Sequence, residues 1–425
     1  MNAAPAIVRT PAELGLAEQF RVSPGAAASP ARAAAFRRFE AAGLPTRRVE
    51  SWHYTDLRAA LAKAAPPAAA PDATAIASAQ RRLAALTRLA PTRLTLVNGV
   101  FVAALSDSPP PGVALTQPSA WPALPADDPM LALNLALAPN GLVATVAPGA
   151  KAPPIEIVHC VAGEGPRAVY SRLAIDVAAD ASAAVIERFV GAGGETQRHA
   201  SLVIDVAAGG ALAHVVSIED EPGLHVESEV VRLAERAALD AFSFVAGGTL
   251  VRRQVFARLA GEGARIGLAG LGLLDGRRHA DTTLEVVHAA PRGESREFYR
   301  HIVADEATGV FQGKVIVQPG AQKTDGAMKS QAILLSPEAT MNAKPELEIF
   351  ADDVVCGHGA TIGALDPEQL FYLQARGLPQ AEAEAMLLEA FGAEAISRVA
   401  DPALAEALLA LMREWLARRG RGRRS

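Results

Sequence analysis

The chain has 425 residues, half hydrophobic and a fifth charged, with 41 Lys and Arg against 46 Asp and Glu for a net charge of −5. That length exceeds one ordinary core, so two or three domains are expected, and the charge lacks the broad basic excess of a nucleic-acid binder. Only Cys160 and Cys356 occur, which excludes a disulfide framework and suits a reducing cytoplasmic setting.

At the N-terminus, Met1 to Arg9 has no basic start followed by a long apolar core, so it does not read as a secretory signal. No uninterrupted apolar run reaches the roughly 18 residues of a membrane span, and a soluble cytoplasmic protein with no membrane partner is expected. Residues 1–90 read as an N-terminal helical domain. Pro30 to Ala42 sets Ala34, Phe36 and Phe39 among arginines and is closed by Gly43 and Pro45, Ala65 to Pro71 is an Ala/Pro linker, and Ile76, Leu83 and Leu86 predict a second helix over Ala73 to Leu89. Alanine abundance weakens any helix reading made from propensity alone.

From Arg93 the texture changes to short β-type runs, and a small phrase recurs. It is an aliphatic residue, two further residues, and a small or acidic turn. Copies stand at Val146-Ala-Pro-Gly-Ala, Val177-Ala-Ala-Asp-Ala, Val206-Ala-Ala-Gly-Gly, Leu233-Ala-Glu-Arg-Ala, Leu259-Ala-Gly-Glu-Gly, Val317-Gln-Pro-Gly-Ala and Leu335-Ser-Pro-Glu-Ala. Successive copies from Val177 lie 29, 27 and 26 residues apart, whereas Leu335 follows Val317 by 18. A recurrence on this scale marks a solenoid, whose coils bury their apolar faces only by stacking. Leu173, Ile175 and Val177 alternate as a strand does. The expected fold is therefore mainly β with helical ends: a right-handed parallel β-helix over residues 91–365, with a β-sandwich of hairpins as the rival.

Residues 366–425 turn helical again with clear punctuation. Asp366-Pro367-Glu368-Gln369 supplies an N-cap, a first-turn proline and a capping-box glutamine. Gly377 ends that helix, Pro379 opens the next, and Asp401-Pro402 starts a last one carrying Leu404, Leu408, Leu411, Met412 and Trp415 along one side. The basic block Arg418 to Arg424 reads as a solvated tail.

The stretch Val355-Cys356-Gly357-His358-Gly359-Ala360-Thr361 carries the chemistry. It aligns with the turn phrase, Cys356 against Leu335 and His358 against Pro337; if extended, the thiol and imidazole share a face. Thiolate suits iron–sulfur chemistry and imidazole can replace it, while the flanking glycines allow close approach. Two ligands leave such a cluster incomplete, so a second chain would have to supply the rest. His279, His288 and His301 have no metal-ligand spacing and read as surface or core histidines, Cys160 reads as buried packing, and Asp352-Asp353 as a solvated turn. No phosphate-cradling, dinucleotide or triad signature appears, so the chain has no ATP site of its own and no enzymatic motif.

Four segments together carry a family resemblance: Arg47-Arg-Val-Glu-Ser-Trp-His-Tyr-Thr-Asp-Leu, Gly313-Lys-Val-Ile-Val-Gln-Pro-Gly-Ala-Gln-Lys-Thr-Asp-Gly, Cys356-Gly-His-Gly-Ala-Thr and Asp366-Pro-Glu-Gln-Leu-Phe-Tyr-Leu-Gln-Ala-Arg-Gly. They resemble the SufB/SufD family of iron–sulfur cluster assembly scaffolds, and its SufD side more closely. SufB members carry additional β-helix cysteines and read His-Glu-Ala-Thr where this chain reads His-Gly-Ala-Thr. The resemblance implies a non-enzymatic subunit of a complex with a SufB-like paralogue and a SufC-like ABC-type ATPase, with a transient iron–sulfur cluster shared with the paralogue. It implies that His358, and less securely Cys356, faces that cluster at the subunit interface. It also implies that Phe371, Tyr372 and Arg376 lie where the ATPase docks. A homodimer formed without the paralogue is left open. Against it stand two rivals, a β-helix enzyme acting on polysaccharide and a purely bracing interaction protein.

Overall fold

The computed structural model describes residues 8–26, 28–117, 128–138, 141–191, 196–219 and 223–422, with side chains to residue 419. Most of the stretch Met1 to Arg9, and the end of the basic block beyond position 422, lie outside the described residues. Helices α1 (Pro11–Val22), α2 (Pro30–Ala42), α3 (Leu57–Ala60) and α4 (Ala73–Ala85) come first. Strands β1 (Thr92–Val97), β2 (Val100–Phe101) and β3 (Val113–Thr116), helix α5 (Pro129–Leu137) and strand β4 (Leu142–Val146) follow. The solenoid then runs through β5 (Ile155–Cys160), β6 (Arg167–Val177), β7 (Ser182–Val190), β8 (Thr196–Val206), β9 (Ala211–Ile218), β10 (Gly223–Leu233), β11 (Ala238–Val245) and β12 (Leu250–Leu259). It continues as β13 (Arg265–Leu274), β14 (His279–His288), β15 (Glu294–Val303), β16 (Thr308–Val317), β17 (Asp325–Leu334), β18 (Thr340–Ile349) and β19 (Val355–Gly363), before α6 (Pro367–Ala375), α7 (Gln380–Ile396) and α8 (Pro402–Gly422).

From β5 on, each strand pairs in parallel with the strands two places away, odd-numbered strands in one sheet and even-numbered in the other. This is a parallel β-solenoid of about seven turns flanked by helices at both ends; the hairpin sandwich is excluded by the parallel register. The recurring phrase is its corner. The first residues of the phrase stack in register as Val146, Val177, Val206, Leu233, Leu259, His288, Val317 and Ile349. All but the last are at most 2% exposed, and each buried aliphatic contributes about 1.5–3 kcal/mol. At the corners before the last, one residue takes a left-handed conformation, among them Asp180, Gly209, Arg236, Gly263, Arg292 and Lys323. Its N–H is thereby turned along the solenoid axis and donates to the next coil, as from Asp180 to Ala208, Arg236 to Glu262 and Lys323 to Asp353.

Two details of the repeat differ from the sequence reading. Leu335-Ser-Pro-Glu-Ala joins β17 to β18 and so belongs to the opposite corner, which accounts for its odd spacing. The segment around Cys356 is not a turn at all but nine residues of strand, β19. Two copies escaped notice: one begins at His288, where a histidine replaces the aliphatic residue, and one at Ile349.

The lumen is not uniformly apolar. His159 and His214 hold the two oxygens of Glu187 at 2.8 and 2.9 Å, and Arg253 donates to Glu227 at 2.7 Å and to Glu229 at 2.9 Å. Burial would raise the Glu187 pKa, but the two imidazoles outweigh it and hold the carboxylate at about 2.

The helices cover the outer faces. On the even sheet, Tyr170 and Val226 pack with Leu133 of α5 and with Phe36, Phe39 and Trp52. The Ser51–Thr55 segment is a clamp: Arg252 lies 4.2 Å from the Trp52 ring centroid, donates to the Ser51 carbonyl at 2.7 Å and pairs with Asp281, to which Thr55 also donates. On the odd sheet, Phe242, Leu271 and Phe298 pack under Leu388, Leu408, Met412 and Trp415 of α7 and α8. Among the described residues no helix is long and apolar enough to cross a membrane.

His288 is the weak member of its ladder. It is fully buried, neither ring nitrogen has a hydrogen-bond partner, and burial lowers its pKa from 6.5 to about 4; Gly293 is glycine where a Cβ would strike the ring. Because the unfolded chain binds the proton more readily, this site's stability is full above about pH 6.5 and is lost as the pH falls toward 4. His288→Leu is expected to stabilise the fold by about 1–3 kcal/mol at neutral pH and by more at pH 4–5, measured by denaturant titration across that range.

Candidate functional site

The two ends of the solenoid are finished differently. At the N-terminal end, β2 folds back antiparallel on β1 and β3 lies antiparallel to β4, so both sheets end in short reversed strands. At the other end, among the described residues, β18 and β19 each pair only with the strand behind them. Their outer edges carry free backbone donors and acceptors, and Ile349, Phe350, Val355 and Ile362 are 41–74% exposed there.

Cys356 and His358 lie on that last strand. Cys356 is opposite Gly326 and His358 opposite Met328, so the two alternate onto the lumen-facing side. Cys356 is half-buried against the end of the apolar ladder. Burial pushes its thiol pKa up; Asp325 and Glu297 add to this, while the Gly326 backbone and Arg296 partly offset it. His358 is exposed. A Cβ at either Gly357 or Gly359 would meet nothing within 4 Å, so the approach to the imidazole is open from both sides. Among the described residues no three His, Cys, Asp or Glu side chains cluster to hold a metal ion.

Behind His358 in register stand Met328 and then Glu297 of β15. Glu297 is 1% exposed, and neither carboxylate oxygen accepts a hydrogen bond of normal geometry. Burial raises its pKa to about 7, offset only in part by the Ser295 hydroxyl and by Arg296. Sequence reasoning missed this residue. Its signal is the alternation Ser295, Glu297, Tyr299, His301, in which all four members are buried.

The remaining candidates fall elsewhere. His279 accepts or donates a 2.8 Å bond with Thr55 in the clamp, while His288 and His301 are buried in the solenoid. Cys160 is buried in apolar packing beside α4, and Asp352 and Asp353 sit exposed on the turn before β19, with Asp353 paired to Lys323.

Helix α6 starts three residues beyond β19 and buries none of its side chains. Asp366 caps it, accepting from the N–H groups of Glu368 and Gln369. Phe371 and Tyr372 are 71% and 55% exposed, and the Arg376 guanidinium lies 4.4 Å from the Tyr372 ring centroid.

Glu297 binds its proton more tightly folded than unfolded, so it destabilises the fold above about pH 4.3, increasingly up to about pH 7. Glu297→Gln is expected to raise stability at pH 8, by on the order of 3 kcal/mol at most, with the gain vanishing near pH 4. Thermal unfolding at the two pH values checks this.

Against known families, residues 159–391 match the SufBD core domain of the SUF system for FeS cluster assembly, and residues 26–120 match the SufBD N-terminal region. The iron–sulfur cluster assembly protein SufD of Escherichia coli is 34% identical over 387 residues, covering 87% of this chain and 88% of that one. A SufBD family protein of Mycobacterium tuberculosis is 29% identical over 271 residues, 62% of this chain and 68% of its own length. SufD of Bacillus subtilis is 32% identical over 124 residues, 29% and 28% of the two chains. With its central solenoid and its N-terminal region both matched, the chain belongs to the SufB/SufD family of iron–sulfur cluster assembly proteins.

Proposed function

We propose that this chain is a SufD-type, non-enzymatic scaffold subunit that docks through the open end of its solenoid onto a SufB-like paralogue. The nascent iron–sulfur cluster is cargo held across that seam, with His358 as this chain's ligand and Cys356 as an auxiliary one. The observation that carries the reading is the coincidence, on β19, of an unpaired strand edge, exposed apolar residues and an imidazole–thiol pair in which His358 is exposed and Cys356 half-buried. An edge of this kind is completed by another strand, and such a strand would arrive beside His358. Fewer than three candidate ligands on this side agrees with a centre completed from the other.

The aromatic face of α6 is the docking surface for a SufC-like ATPase. Buried aromatic and arginine anchors dominate interface energetics, and Phe371, Tyr372 and Arg376 are available without unfolding anything. Only residues 364–366 separate α6 from β19. Displacement of α6 by an ATPase that binds one arrangement better than the other therefore acts directly on the strand bearing His358. The intervening chain is too short to absorb it.

Anaerobic reconstitution with iron and sulfide tests the seam. A visible-absorbing cluster is expected only when the SufB-like paralogue is present, reduced about tenfold by His358→Ala and less by Cys356→Ser. Unchanged cluster yield in His358→Ala removes the ligand role. Separately, Phe371→Glu is expected to weaken binding of the ATPase by at least about tenfold, roughly 1.4 kcal/mol, while leaving binding of the paralogue intact; co-purification of the three chains reads both.

A further inference from the structure

The outer face of the odd sheet carries a groove of about 1070 Å³ that ends at β19. Its floor has few side chains, with Gly267, Ala269, Ala327, Gly357 and Gly359 on successive outward positions. Its wall is the connection between α7 and α8, at Ser397, Arg398 and Ala400.

Charge is distributed unevenly along it. Toward the far end the carboxylates Asp240 and Glu294 offset Arg265, which stands opposite Glu294 in register, and Arg296 is neutralised by Asp325 at 2.6 Å. Near β19 the exposed charges are cationic. Arg398 lies 4.8 Å and Lys329 6.0 Å from the Phe298 ring centroid, with Arg300 at 5.3 Å. Arg300 is paired with Glu394, but neither Lys329 nor Arg398 has an ion-pair partner among the described residues. With Arg300 matched by Glu394, two unpaired cations, Lys329 and Arg398, remain against one ring, and the quadrupole of a phenyl face compensates them only in part. In a chain of net charge −5, this local excess marks a recognition surface rather than a general property.

We propose that this groove receives an acidic segment of the chain that docks on the open end. The inference rests on the docking read above and adds its electrostatic component. Continuity argues for that occupant: residues 357–361 form at once the rim of the groove and the unpaired edge of the last strand. A chain joined to that edge needs no further reach to enter the groove. Complementary charge would then raise the encounter rate and fix the register of the seam, which strand pairing alone specifies poorly.

The test uses the full-length chain and purified SufB-like paralogue, with affinity measured from 50 to 500 mM salt. Wild-type binding is expected to weaken steeply with salt. The double variant Lys329→Glu, Arg398→Glu should bind about tenfold more weakly at low salt with a flatter salt dependence, while Phe371→Glu retains the wild-type profile. Circular dichroism and thermal midpoint identify a misfolded variant, in which case Lys329→Gln, Arg398→Gln replaces it and should flatten the salt dependence likewise. Strong wild-type binding that neither pair of substitutions alters overturns the groove and leaves the docking end standing. No binding by wild type overturns both. A dimer of this chain alone that the double variant dissolves assigns the groove to a second copy and overturns the choice of occupant.

Discussion

A single coil of this molecule can bury neither its inner face nor the edges of its strands; each is closed only by the coil in front and the coil behind. Everything else follows from that dependence. Within the stack it is met repeatedly, by an aliphatic ladder at one corner and by left-handed turn residues whose N–H groups bond along the axis. At the first coil it is met by reversed strands. At the last it is unmet, and Ile349, the terminal member of a ladder otherwise sealed from water, stands 41% exposed. An unfinished end is a liability for a monomer. On a subunit it is an address.

The lumen adds a second constraint. Glu187 and Glu229 could have been aliphatic, as Ile157 and Val216 beside the one and Leu202 and Val255 beside the other are. Removing ion pairs from water gains little or nothing over apolar packing, provided every charge is matched. Here Glu187 is matched by two imidazoles and Glu227 and Glu229 by Arg253, whereas Glu297, nearer the open end, has no hydrogen bond of normal geometry on either oxygen. Unsatisfied groups of this kind concentrate where a structure serves something other than its own stability. The position of Glu297, two coils behind His358, fits that pattern.

Much of this architecture was legible in the sequence, because the solenoid repeats one physical solution and repetition leaves a visible phrase. The phrase marks a corner, so it revealed coils before any strand could be delimited. It misled where chemistry varied the corner: His288 hid a genuine copy, and the resemblance of the Cys356 segment to a turn concealed a strand. Helix α5 was hidden for another reason. Leu131, Leu133, Leu135 and Leu137 alternate like a strand, yet the segment is helical because it is buried on every side, so no amphipathic period had to be kept. Asp128 and Pro129, an N-cap and a first-turn proline, were the available signal. The candidate site was legible as residue types, Cys356 and His358, but not as a place. Which strand remains unpaired is decided by where the stack stops, a property of the whole chain.

The order of elements after that strand turns a static edge into one that can be acted upon. Helix α7 is fastened to the sheet by Arg300, which donates to the Phe391 carbonyl and pairs with Glu394, and by Leu388 and Ile396 in the apolar layer beneath. Helix α6, lying between this anchored helix and β19, buries nothing, and it joins α7 through Gly377 in a conformation that side chains rarely adopt. It is therefore held at its two ends and, along its length, only by half-buried Leu370 and Leu373 on the side toward α7. A load applied to Phe371 or Tyr372 has two outlets, the anchored helix and the last strand. The strand is the weaker of these, since only one of its edges is paired. Under the docking proposed for α6, work done on that helix would be spent on β19, and the side chain moving with it would be His358.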